Sequence, residues 1–132
     1  MSSLRQSILI RTDLNLPVGL LAAQVAHLHF ETFRKRSTGD SAGLPIVLTQ
    51  KEGEWAHDPY LFVHQVPNSE ALDFFDNEAT KAGINVESWW DTIFLQLSPT
   101  FRKAFDHVKV GIVLGPEDSD KIKAVISDLP LL

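Results

Sequence analysis

The chain has 132 residues, with 17 acidic and 12 basic side chains and a formal net charge of −5. It is long enough for one domain with a sizeable core, and it lacks the positive field on which nonspecific nucleic-acid binding depends. It contains no Cys, which excludes disulfides, thiolate nucleophiles and Cys-ligated metal and is compatible with a reducing, cytoplasmic setting. No apolar run approaches the roughly 20 residues of a membrane span, and the short polar start from Met1 to Gln6 has no signal-peptide core.

Ile8, Leu9 and Ile10 lie within Ser7 to Thr12, a continuous apolar run that predicts a strand covered on both faces. Asn15, Pro17 and Gly19 break it, and from Leu20 a helical period sets in. Leu21, Val25, Leu28 and Thr32 form one stripe, with Ala22, Ala26, His29 and Phe33 beside it. The small Ala22, Ala23 and Ala26 predict a close approach of helix to sheet, and the helix is expected to end near Arg36, before Gly39. Residues 37–59 are the least decided. Ile46-Val47-Leu48 reads as a short strand or a helical turn, Lys51-Glu52-Gly53-Glu54 as a surface turn, and the whole as a hairpin arm.

Tyr60 to Val66 is a strand, followed by a helix capped by Asn68 or Ser69, with Leu72, Phe75, Ala79 and Ala82 inward and Gly83 as its stop. Ile84 to Trp90 is the next strand, with Asp91 near its end and Thr92 to Leu97 able to continue it. Ser98-Pro99 turns the chain, His107 to Leu114 is the last strand, and Gly115-Pro116 opens a final helix that Pro130 stops. The order β-α-β-α-β-β-α predicts a single α/β domain over residues 1–132, three-layered, with a mostly parallel four-stranded sheet flanked by helices, made mixed by its last two strands, which can pair antiparallel.

In open α/β sheets, ligands bind at the carboxyl ends of strands, and Asp13 and Asp91 fall at such ends. Two carboxylates brought together would raise one pKa and make a general acid or base; the plainer reading is a turn cap and a strand end. Gln24 and His27 are i, i+3 neighbours on one helix face, so His27 is a candidate base or a partner of a backbone carbonyl. His27 and His29, about 200° apart around a helix, do not make a zinc site. His64 lies inside an apolar strand and reads as a core residue. Trp89 and Trp90 point to opposite faces; one packs, and the other, Trp90, stacks on a base or ring beside Asp91 or packs as well. No G-x-S-x-G, Walker loop or G-x-G-x-x-G occurs, so neither a nucleophile elbow nor a nucleotide cofactor is expected. The basic clusters Arg34-Lys35-Arg36 and Arg102-Lys103, and the acidic stretch from Ser69 to Asp91, read as solvated surface.

The blocks Ile10-Arg11-Thr12-Asp13-Leu14 with Ala22-Ala23-Gln24-Val25-Ala26-His27, Gly83-Ile84-Asn85-Val86 leading to Asp91, and Gly111-Ile112-Val113-Leu114-Gly115-Pro116 resemble the type II peptidyl-tRNA hydrolase family. The closing Leu131-Leu132 is similar to the family's end. The resemblance implies that family's fold, a homodimer, and cleavage of the ester joining a peptide or amino acid to tRNA. Asp91 or His27 would activate water, with Asp13 nearby and with Gln24, Arg11 and Trp90 on the substrate; no cofactor is implied. The chain departs from the family in its turn Pro17-Val18-Gly19-Leu20, which lacks the family's lysines, and in Thr92-Ile93-Phe94 after Asp91, where a glycine and an arginine are missing. Val18 and Leu20 cannot hold a polyanion or an oxyanion. Two functions therefore stand open: a tRNA-ester hydrolase, or a catalytically inactive relative that binds a protein or small molecule in the same pocket. A cation turned toward Asp91, from Arg11 or from Arg34-Lys35-Arg36, would favour the first.

Overall fold

A computed structural model describes residues 3–34, 48–98 and 100–132, with 93–98 and 101–106 described as backbone. The helix end at Arg36 with Gly39, the Ile46-Val47 segment and the Pro99 turn lie outside the described residues. The elements run β1 (Leu4–Arg11), α1 (Val18–Arg34), α2 (Gln50–His57), β2 (Leu61–Val66), α3 (Ser69–Lys81), β3 (Val86–Ser98), β4 (Phe101–Asp118) and α4 (Ser119–Ile126).

The four strands form one sheet in the order β2-β1-β4-β3. Only β1 and β2 pair in parallel; β1 with β4 and β3 with β4 are antiparallel. The sheet is therefore mixed and predominantly antiparallel, which corrects the mostly parallel expectation. The reason is that β4, which closes an antiparallel hairpin with the preceding β3, also lies beside β1 and runs against it, so that two of the three strand pairs are antiparallel. The hairpin carries the sheet past β1, with pairing continued from Ile93↔Phe105 to Ser98↔Phe101.

Strand alternation sorts the core into two layers. Ile8, Ile10 and Val113 pack with Leu28 of α1, while Leu9, Ile112 and Leu114 pack with Leu72 and Ala79 of α3 and Ile122 and Ile126 of α4. Leu72, Phe75, Ala79 and Ala82 face inward as their spacing predicts, and so do Ile122, Val125, Ile126 and Leu129. The alanines of α1 do not behave as expected: Ala22, Ala23 and Ala26 are exposed. Close approach is provided from the sheet side by Gly111, where a Cβ would lie 2.5 Å from the Leu9 carbonyl oxygen and 2.8 Å from Leu28 Cδ1.

Residues 50–57 form a helix where a hairpin arm with a surface turn was expected. Its start is a reciprocal capping box: Thr49 Oγ1 accepts from the Glu52 N–H at 3.1 Å, and Glu52 Oε1 accepts from the Thr49 N–H at 3.0 Å. Trp55 of α2 stacks on Phe33 of α1, which seats α2 on the α1 side. At the other end of the chain, β4 runs through Gly115-Pro116 to Asp118, whose side chain caps α4; the expected helix start at Gly115-Pro116 is thus displaced by three residues.

His64 is buried, as its place in an apolar strand predicts. Its Nδ1 lies 3.2 Å from the Leu129 carbonyl, so that nitrogen carries the proton, and Nε2 accepts from Arg5 Nη2 at 3.0 Å. Burial holds its pKa below the ordinary histidine range, and the charge of Arg5 adds to this against the bond to Leu129. Residues 130–132 lie along β2, with the Gln65 N–H donating to the Pro130 carbonyl and the Leu132 N–H to Val63, each at 2.9 Å.

Candidate functional site

Asp91 lies in the middle of β3 rather than near a strand end as expected, because the strand continues to Ser98, and the sheet around it is shaped by irregularities in β4. Trp89 pairs with Gly111 but Trp90 with Lys109, and Asp91 pairs with Val108 but Ile93 with Phe105. Each step adds a residue to β4, so two bulges bracket Trp90 and Asp91, and bulges re-aim the side chains around them. Trp89 and Asp91 consequently share the α1 side of β3.

Gln24, on α1 and only 1% exposed, donates from Nε2 to Asp91 Oδ2 at 3.1 Å. The other carboxylate oxygen accepts from the Thr92 N–H at 2.8 Å. A carboxylate has about four acceptor positions, so Asp91 is oriented from two sides and keeps capacity for a further donor. One helical turn along, the exposed His27 ring lies flat on Trp89, with centroids 4.4 Å apart and 10° between planes. Two buried polar atoms here have no partner among the described residues: Gln24 Oε1, an acceptor, and Trp89 Nε1, a donor.

Arg11 and Asp13 form a second group at the end of β1. Arg11 Nε and Nη2 each reach a different Asp13 oxygen at 2.8 Å, and Nη1 donates to the Lys109 carbonyl at 3.3 Å. The bond from Arg11 holds the Asp13 carboxyl below the usual carboxylate range, against a smaller opposing effect of burial. The upward shift expected of two carboxylates sharing one crevice therefore does not occur at Asp13, because its nearest charge is a cation. Among the described residues no hydrogen bond or ion pair joins the Arg11–Asp13 pair to the Gln24–Asp91 pair. A recess of ≈ 140 Å³ lies beside the former, between the end of β1, the turn into α1 and Leu132, and its lining includes Arg11 but neither Gln24 nor Asp91.

Trp90 is 47% exposed and stacks on His107 at 5.3 Å. Its strand partner Lys109 reaches Asp73 and Asp76 of α3 at 3.0 and 3.1 Å, so Trp90 sits on the α3 side, across the sheet from Gln24 and His27. The opposite facing of the two tryptophans follows the alternation expected of a strand. Burial pulls down the Lys109 pKa, and its two carboxylate partners outweigh that and raise it. Arg34 is bound to Glu31 by three contacts of 2.8–3.1 Å; Lys35 and Arg36 lie outside the described residues. Among the described residues Arg11 is thus engaged by Asp13, and Lys109, on the α3 side, by Asp73 and Asp76. No group of three or more His, Asp or Glu residues able to hold a metal occurs among the described residues, and no described helix is long and apolar enough to cross a membrane.

Sequence reasoning did not single out the Lys109–Asp73–Asp76 cluster or the unpartnered indole of Trp89. The i, i+3 spacing of Asp73 and Asp76 was a visible signal for the first; nothing in the sequence marked the second, since a Trp is most often core.

Residues 4–132 of the chain match the family model of peptidyl-tRNA hydrolase PTH2. The chain belongs to that family. A search of curated proteins returned no match.

Proposed function

We propose that the protein is a hydrolase of the ester joining a peptide or amino acid to tRNA, acting through the Gln24–Asp91 pair. The observation that carries this reading is the hydrogen bond from Gln24 to Asp91, which fixes the carboxylate while leaving it acceptor capacity. Asp91 takes a proton from water as the water oxygen bonds to the acyl carbon. The tetrahedral intermediate then collapses, the bond from the acyl carbon to the ribose oxygen breaks, and that oxygen recovers the proton from Asp91. Gln24 is a positioning residue that acts through Asp91. His27, stacked over Trp89, lies one helical turn from Gln24 on α1. Asp13 is engaged with Arg11 and transfers no proton in this reading. General-base assistance of this kind is worth roughly 10²–10⁴ in rate.

A second reading, an inactive relative that binds a protein or small molecule, is favoured by the pairing of Arg11, the cation at the end of β1, with Asp13, which leaves it engaged by an acid rather than open to a polyanion. Hydrolysis of a model peptidyl-tRNA separates the two. The first reading expects turnover that falls by about 10²-fold or more in Asp91→Asn. Turnover unaffected by Asp91→Asn overturns the assignment of the base, and absence of turnover in the intact protein overturns the hydrolase reading in favour of the second.

A further inference from the structure

Hydrolysis of an ester places negative charge on the carbonyl oxygen, and a site must present a donor to it. The turn into α1 offers Val18 and Leu20, and the cation at the end of β1, Arg11, is bound to Asp13. One buried side-chain donor among the described residues has no acceptor: the indole Nε1 of Trp89. It stands two residues before Asp91 on the same face of β3, and both residues meet α1, Trp89 through His27 and Asp91 through Gln24. Trp89, His27, Gln24 and Asp91 therefore close a ring across the helix–sheet junction, with an unused donor on one side and an unused acceptor, Gln24 Oε1, on the other.

Buried polar groups are nearly always paired, and each exception calls for an explanation. Two exceptions of opposite kind on neighbouring residues are explained together by a ligand that both accepts and donates, such as an acyl group carrying a carbonyl oxygen and an amide N–H. The imidazole of His27, which is itself exposed, lies on one face of the indole, and a rotamer change of an exposed side chain, which takes place in picoseconds to nanoseconds, frees that face; the rest of the ring packs against the core beside Leu28, Leu14 and Val110.

We propose, resting on the hydrolase reading above, that Trp89 is a further catalytic residue, its indole N–H donating to the substrate carbonyl oxygen while Gln24 Oε1 accepts from the adjacent amide. The N–H forms no covalent bond and gives up no proton; it holds the oxygen as charge develops there. The donor thus comes from the strand, in place of a cation from the turn.

Trp89→Phe keeps a ring for His27 to lie on and removes the N–H. It is expected to lower kcat for a model peptidyl-tRNA by about 10²-fold with little change in KM, the effect of losing one such donor; a purely structural role would leave kcat within about twofold, and that result overturns the proposal. A second measurement does not need turnover. The three Trp residues give three indole N–H resonances in a ¹⁵N-labelled sample, and the one missing from Trp89→Phe is that of Trp89. Titration with a non-cleavable N-acetyl-aminoacyl adenosine 3′-amide is expected to move that resonance downfield and saturably. If other resonances move and this one does not, the proposal fails while the hydrolase reading stands. If the resonance shifts but the intact protein does not turn over, the hydrolase reading fails and Trp89 stands as a donor in an acyl-binding site. An unmoved resonance together with no turnover overturns both.

Discussion

Gln24 and Asp91, 67 residues apart in the chain, are joined by a single hydrogen bond from Nε2 to Oδ2, and the oxygen on the other end of the same amide has no partner among the described residues. A fully buried amide that is half satisfied contributes little to stability, because its desolvation is offset by one bond rather than by several. Its retention fits the orientation of Asp91 better than the cohesion of the core.

Replacing Gln24 by Met tests that division of labour. Met fills a similar volume and adapts to irregular surroundings, and both the bond and the unpartnered oxygen are lost together. The expected change in stability is small, within about 1 kcal/mol, while kcat on a model peptidyl-tRNA falls by about tenfold or more as Asp91 loses its fixed geometry. Thermal melting and steady-state kinetics on the one variant decide the matter; a large loss of stability with unchanged kcat would assign Gln24 to the core instead.

Two glycines make an internally controlled pair. Gly111→Ala sets a Cβ 2.5 Å from the Leu9 carbonyl and within 3 Å of Leu28 and Ile10, so helix and sheet must separate, with a cost on the order of 2 kcal/mol or more as in other overpacked cores. Gly19 lies in the first turn of α1, and a Cβ there meets nothing within 4 Å. Gly19→Ala is expected to stabilise by roughly 0.5–1 kcal/mol. Urea midpoints that move in opposite directions confirm the contrast; equal shifts refute it.

His64 makes stability depend on pH. Its folded pKa lies below the ordinary value, from burial above all, which with a lesser push from the charge of Arg5 outweighs the opposing bond to the Leu129 carbonyl, so the unfolded chain binds the proton more readily than the folded one. The contribution is fully present above the unfolded value near 6.5 and is lost as pH falls through the folded value. His29, also lowered by burial, adds in the same direction. The urea midpoint is expected to drop between about pH 7.5 and 5, and His64→Gln to make that drop shallower. An unchanged slope in the variant would show that His64 is not the group responsible.

The elements whose residues repeat at a helical or strand period were legible in the sequence. The buried run of β1 and the inward faces of α3 and α4 fall where Ile8–Ile10, Leu72–Ala82 and Ile122–Leu129 place them. The antiparallel pairing of β3 with β4 was readable from their succession in the chain; that of β4 with β1 was not, because the order of strands in a sheet leaves no compositional mark, and neither do the bulges at which the β3–β4 register shifts. α2 was missed although Thr49 and Glu52 spell out its start; four apolar-poor residues drew attention away from the cap. In the site, the sharing of one helix face by Gln24 and His27 was readable from spacing. The separate engagement of Asp13 by Arg11 was not, since a residue's closest charge depends on which way the end of a strand turns.

The last three residues hold β2 along its outer side through the Gln65–Pro130 and Leu132–Val63 bonds and the His64–Leu131 bridge. A strand margin with bare amides and carbonyls is a template for other chains, and here the protein's own tail fills that template. Removing residues 130–132 would leave the apolar layers in place yet uncover a sticky border, so the shortened chain is expected to announce itself by light scattering from self-association well before any fall in its melting temperature.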